Sequence, residues 1–140
     1  YQKVLASSVG ALVYNKSDAL ASEGSGVLFK EDNDGEYTYI ITCAHVIAGS
    51  NGTIMVQLHD EKQYQAETVG LDNRTDIGVL RIKASGLELA EIGDSSRLAV
   101  GDTVYAIGNP LGELRGTATA GIISATSNTK LRVRPPRRWP

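Results

Sequence analysis

The 140 residues, 41% hydrophobic and 21% charged, are enough for one globular domain with a sizeable core, or one domain and a fragment. A formal net charge of −2 excludes a whole-molecule electrostatic footprint for nucleic acid or an anionic membrane. The single cysteine, Cys43, excludes an internal disulfide and every multi-cysteine metal site, and no apolar run approaches the length of a membrane span.

Taken in chain order, short apolar runs rich in valine, isoleucine and tyrosine are separated by glycine, aspartate and asparagine, the pattern of an all-β barrel or sandwich. Strands are predicted at Val9–Tyr14, Gly26–Lys30, Tyr37–Thr42, Thr53–Leu58, Gln63–Asp72, Ile77–Lys83, Asp102–Ile107 and Thr117–Ala125, with one helical turn at Ala44–Ala48. Asp32-Asn33-Asp34-Gly35 reads as a hairpin loop, and Ser50-Asn51-Gly52 closes the turn after His45. The pattern changes near Ser127. Five of the 14 basic residues fall in the last eleven positions without an acid among them, and Pro135-Pro136 forbids a central strand there. Residues 129–140 are therefore read as a basic, Pro-rich tail: a solvated end, a patch for an anionic partner, or a non-native or frame-shifted stretch. A chain that opens on Tyr1 is expected to have been processed, and an upstream targeting segment could have been lost.

Two residues could carry chemistry. His45 follows the buried-strand run Tyr39-Ile40-Ile41-Thr42 and opens a short turn, a place that holds an imidazole on a fixed backbone. Asp76 sits in Asn73-Arg74-Thr75-Asp76-Ile77-Gly78-Val79-Leu80, a polar turn running into an apolar strand. Each alone has an ordinary reading, a surface or structural histidine and a turn-capping aspartate. Together they could form a base and the carboxylate that fixes its tautomer. Cys43, at the end of a buried strand, reads as a small core residue instead of a reactive thiol. His45 and His59 lie 14 positions apart with no acidic ligand pattern between them, so spacing supports no metal site. Gly24-Ser25-Gly26 and Gly108-Asn109-Pro110-Leu111-Gly112 lack the lysine and glycine spacing of a phosphate loop, and no cofactor is expected.

From about Val4 to Ala125 the chain resembles the HtrA (DegP-type) family of trypsin-like serine proteases. The resemblance rests on Gly24-Ser25-Gly26-Val27-Leu28, Thr42-Cys43-Ala44-His45-Val46-Ile47 and Asp72-Asn73-Arg74-Thr75-Asp76-Ile77-Gly78-Val79-Leu80-Arg81-Ile82. It continues in order through Gly93-Asp94-Ser95-Ser96, Val100-Gly101-Asp102, Ala106-Ile107-Gly108-Asn109-Pro110-Leu111-Gly112 and Thr119-Ala120-Gly121-Ile122-Ile123-Ser124-Ala125. This resemblance implies that His45 is the general base and Asp76 its orienting partner. It also implies a serine endopeptidase acting on unfolded or damaged polypeptides outside the cytoplasm. The implied architecture is a complete six-stranded antiparallel barrel over residues 1–92, then opening strands of a second barrel over 93–128.

The nucleophile of such a protease belongs in a Gly-Asn-Ser-Gly-Gly segment beyond Ala125, and no Gly-x-Ser-Gly-Gly occurs within the 140 residues. Ser25, Ser95, Ser96 and Ser124 fall in strand-opening, turn or strand positions and are not assigned as nucleophiles. The chain alone is accordingly expected to be inactive. An incomplete second barrel would leave unpaired edges, so self-association or complementation by a further fragment is expected. The alternative is a non-catalytic homologue that keeps the barrel as a binding or assembly module.

Overall fold

The computed structural model describes residues 6–108, 117–126 and 131–134. Among the described residues the strands and the α-helical turn are β1 Ser8–Tyr14, β2 Leu20–Glu31, β3 Thr38–Cys43, α1 Ala44–Ile47, β4 Ile54–Gln57, β5 Gln63–Asp72, β6 Ile77–Ile82, β7 Thr103–Gly108, β8 Thr117–Thr126 and β9 Leu131–Arg134. The first six strands close into an antiparallel barrel in the order β1-β2-β3-β6-β5-β4, and β7, β8 and β9 form a separate three-stranded sheet. The all-β class and the six-stranded closure are as the sequence predicts.

Alternation along each strand creates the core, because successive side chains point to opposite faces. On β3, Thr38, Ile40 and Thr42 face inward; on its neighbour β6, Ile82, Leu80 and Gly78 sit directly opposite them and also face inward. Ile40, Leu80 and Ile82 are fully buried, with Val9, Ala11, Val56 and Leu28 closing around them. Each such aliphatic side chain contributes roughly 1.5–3 kcal/mol on leaving water. The two inward hydroxyls do not remain unpaired: Thr38 Oγ1 donates to the Ala84 carbonyl and Thr42 Oγ1 to the Ser25 carbonyl, both at 2.8 Å.

The turns follow the local chemistry. Asp32 N–H donates to Tyr37 O and Gly35 N–H to Asp32 O, with Gly35 at φ 70°, which closes the β2–β3 hairpin. Asn15 Oδ1 accepts from the backbone N–H groups of Ser17 and Ala19, so five residues suffice to reverse the chain between β1 and β2. The predicted Gly26–Lys30 strand is therefore much longer, beginning at Leu20. Its first half is polar and lies along β1, which the search for apolar runs passes over.

Two elements lie outside the sequence reading. Ser95–Arg97 form a 3-10 turn capped by Asp94, whose carboxylate accepts from the Ser96 N–H and hydroxyl. The carboxyl of Asp94 is held below its ordinary value by these bonds, the hydroxyl contributing most. The second element falls within the predicted tail, where the backbone of Leu131–Arg134 pairs antiparallel with β8. This corrects the reading of residues 129–140 as tail throughout. Leu-Arg-Val-Arg alternates with the period of a strand, and as the edge of its sheet it tolerates the prolines that follow.

The packing of α1 against the barrel depends on glycine. A Cβ on Gly24 would lie 2.8 Å from Val46 Cγ2, and one on Gly78 would lie 2.8 Å from Ile47 Cδ1. Val46 is β-branched and buried, so it cannot swing away. Gly24→Ala is therefore expected to destabilise the fold by about 1–3 kcal/mol through overpacking, measured by urea unfolding. An unchanged unfolding midpoint would show that α1 is free to shift.

Candidate active site

The two candidate residues lie just beyond the same end of one strand pairing. Cys43, the last residue of β3, pairs with Ile77, the first of β6. His45 lies two residues past Cys43 on α1, and Asp76 immediately precedes Ile77, so the antiparallel register delivers both to the same rim of the barrel. Ala44, Val46 and Ile47 anchor α1 in the core and leave His45 facing out.

Asp76 grips this turn at three points. Its carbonyl accepts from the Ala44 N–H at 2.9 Å, its Oδ1 accepts from the His45 backbone N–H at 2.8 Å, and its Oδ2 lies 2.7 Å from His45 Nδ1. All three are ordinary hydrogen-bond distances. To make all three contacts Asp76 adopts φ 60°, a left-handed conformation that aspartate reaches more readily than most residues. The preceding turn is organised by Asp72, whose carboxylate accepts from the Arg74 N–H at 3.0 Å.

The electrostatics follow from these bonds. The His45 backbone N–H first, and its ring second, hold the Asp76 carboxyl below the usual carboxylate range. An ionised carboxylate can only accept, so Nδ1 carries the proton that faces it, and in the neutral imidazole the lone pair is then on the far ring nitrogen, Nε2. The His45 side chain is 70% exposed and that of Asp76 46% exposed, so the pair opens to solvent. Because the folded state depresses the Asp76 value, the unfolded chain takes up this proton more readily. The stabilisation from the group is complete above the unfolded carboxylate value of about 3.9 and is lost as pH falls through the folded one.

Cys43 departs from the sequence reading. Strand alternation that turns Thr42 inward turns Cys43 outward, and it is exposed beside the pair instead of buried in the core. A strict period-two count from Ile40 would have revealed this. His59 lies in the turn between β4 and β5 and is not part of the site. The Gly108–Gly112 segment and Ser127 extend into positions outside the described residues, as do Pro135 and Pro136.

A closed six-stranded antiparallel barrel with an imidazole and a carboxylate joined at its rim defines the trypsin-like class. The chain belongs to the trypsin-like peptidase domain family, which matches residues 24–139. It is 39% identical over 129 residues to the serine protease Do-like HtrA of Lactococcus lactis subsp. cremoris, covering 91% of this chain and 31% of that protein. It is 41% identical over 113 residues to a probable periplasmic serine endoprotease, DegP-like, of Chlamydia trachomatis, covering 81% of this chain and 21% of that protein. The crystal structure of the serine endoprotease from Yersinia pestis superposes with a TM-score of 0.73 at 38% identity, covering 89% of this chain and 43% of that one. The resemblance carried by the histidine and aspartate motifs thus holds at the level of family. The chain spans a third or less of the length of these two curated relatives. No helix among the described residues is long and apolar enough to cross a membrane.

Proposed function

We propose that this chain is the histidine- and aspartate-bearing part of an HtrA-type serine endopeptidase that cleaves unfolded or damaged polypeptides outside the cytoplasm. The observation that carries this reading is the double engagement of His45 by Asp76, through backbone and ring together. That arrangement fixes both the position and the tautomer of a general base. In the reaction, Nε2 of His45 takes the proton of a serine hydroxyl as it attacks the scissile carbonyl, and Asp76 stabilises the imidazolium formed. His45 then returns the proton to the departing amine.

No Gly-x-Ser-Gly-Gly segment occurs within these 140 residues, so in this reading the chain by itself does not turn over peptide. Residues 1–92 are the first barrel in this reading, and the segment from 93 onward opens the second. The outward face of β7 and β8 supports completion by further polypeptide. Tyr105, 70% exposed, and Ile122 lie on one side of paired strands, an apolar surface that a closed second barrel would cover.

The test compares this chain with a polypeptide continued beyond Ala125 through a Gly-x-Ser-Gly-Gly segment, each incubated with a fluorophore-labelled, chemically unfolded polypeptide. Hydrolysis is expected only from the continued form, and only of the unfolded substrate. A continued, folded form as silent as this chain would favour a binding or assembly module instead.

A further inference from the structure

The register that joins His45 to Asp76 also brings in a third donor. The Cys43 sulfur, a His45 ring nitrogen and an Asp76 carboxylate oxygen all lie within 4.8 Å of one another. The three side chains open to solvent on the same rim. Sulfur, imidazole nitrogen and carboxylate oxygen are together the donor set of a borderline-soft divalent cation, and three protein ligands with an open fourth position is an arrangement zinc accepts.

We propose that Cys43, His45 and Asp76 form a binding site for a thiophilic divalent cation, with zinc the best match. Metal–ligand bonds of about 2.0–2.3 Å in tetrahedral geometry space neighbouring donors roughly 3.3–3.7 Å apart. The cluster must therefore draw in by about an ångström at its widest. Exposed side chains at the end of a strand reach that by rotamer adjustment. The 2.7 Å contact between Nδ1 and Oδ2 must instead open if the ion takes Nδ1, and the Nδ1 proton is then exchanged through solvent to Nε2, leaving a neutral imidazole as ligand. The Cys43 thiol releases its proton to solvent on ligation.

The consequence for the site rests on the proteolytic reading above. An ion on Nδ1 replaces the bond that orients the base, and an ion on Nε2 occupies the lone pair that would receive the serine proton. By either nitrogen, a loaded site is a silent site. Cys43 supplies the element that an ordinary histidine–aspartate pair lacks, a soft anionic ligand that holds the ion in place.

The full chain is titrated with Zn²⁺ in competition with a chromophoric chelator, and separately with Co²⁺ to read the thiolate-to-cobalt charge-transfer absorption. One equivalent is expected to bind, with the charge-transfer band present. Cys43→Ser should abolish the band and weaken Zn²⁺ by at least about tenfold, since even outer-sphere partners of a metal typically matter that much. Cys43 is exposed, so the variant should fold, which circular dichroism checks. His59→Ala should leave both readouts unchanged. Equal Zn²⁺ affinity in Cys43→Ser, a site that moves with His59, or no binding at millimolar ion would each overturn the proposal. Neither readout requires hydrolysis. A continued polypeptide that fails to cleave would remove the inhibitory consequence and leave the site standing, whereas unaltered binding in Cys43→Ser would remove the site and leave the protease reading standing.

Discussion

His45→Ala, placed in the polypeptide continued through a Gly-x-Ser-Gly-Gly segment, is expected to lower kcat by about a millionfold while KM changes little. The magnitude follows from the way triad members act as a unit: without the imidazole, the serine hydroxyl has no acceptor for its proton and the leaving amine has no donor, so one substitution removes nearly the whole catalytic increment. The residual rate would come from substrate positioning and oxyanion-binding groups, which this change leaves in place. The fold should survive. His45 is mostly solvent-exposed, and α1 is held by Ala44, Val46 and Ile47, none of which is touched. Steady-state kinetics together with circular dichroism therefore separate lost chemistry from lost structure. A folded variant retaining more than a tenth of the parental kcat would remove His45 from the mechanism.

The sequence disclosed the barrel because its strands obey period two and its turns are marked by glycine and aspartate. Ile40 and Leu80 sit where alternation from either end places them, facing each other across β3 and β6. The polar half of β2 was invisible to the same reasoning. Leu20 to Ser25 are mostly exposed and make a strand only because β1 offers them a pairing edge, an influence no local window contains. The β9 strand was missed because basic composition and the adjacent prolines outweighed a four-residue alternation, when its edge position makes both tolerable.

The site divides along the same line. His45 and Asp76 were legible through their motifs, but neither residue alone carried the assignment, since lone histidines and turn aspartates are mostly structural. What joined them in space is the Cys43–Ile77 pairing, a register set by the inward stacking of Thr42 on Gly78 and Ile40 on Leu80. Gly78 matters doubly here, because a Cβ at that position would press on the terminal methyl of Ile47, a side chain of the turn that bears His45. Exposure of Cys43 is a direct consequence of the same alternation. Its reading as core gave weight to residue type over phase, and phase prevailed.

Asp76→Asn in the continued polypeptide is expected to lower kcat by about ten-thousandfold, with the backbone of the site little altered. Asn can satisfy one of the two side-chain bonds without strain: its carbonyl oxygen accepts from the His45 backbone N–H where Oδ1 now does. The amide nitrogen then faces Nδ1 and can only donate, so Nδ1 must become the acceptor and the ring proton moves to Nε2. The base is left holding a proton on the nitrogen that should take one. A second readout distinguishes this tautomer inversion from simple loosening. In the parent, the depressed Asp76 carboxyl makes a contribution to folding stability that disappears as pH falls through its folded value, below the unfolded value of about 3.9. The asparagine variant has no such proton to take up, so the acid limb of its unfolding-midpoint profile should be shallower than that of the parent. If kcat falls and the acid limb is unchanged, Asp76 does not hold its charge through His45 as the geometry requires; if the acid limb flattens and kcat is retained, the carboxylate steadies the turn without directing the base.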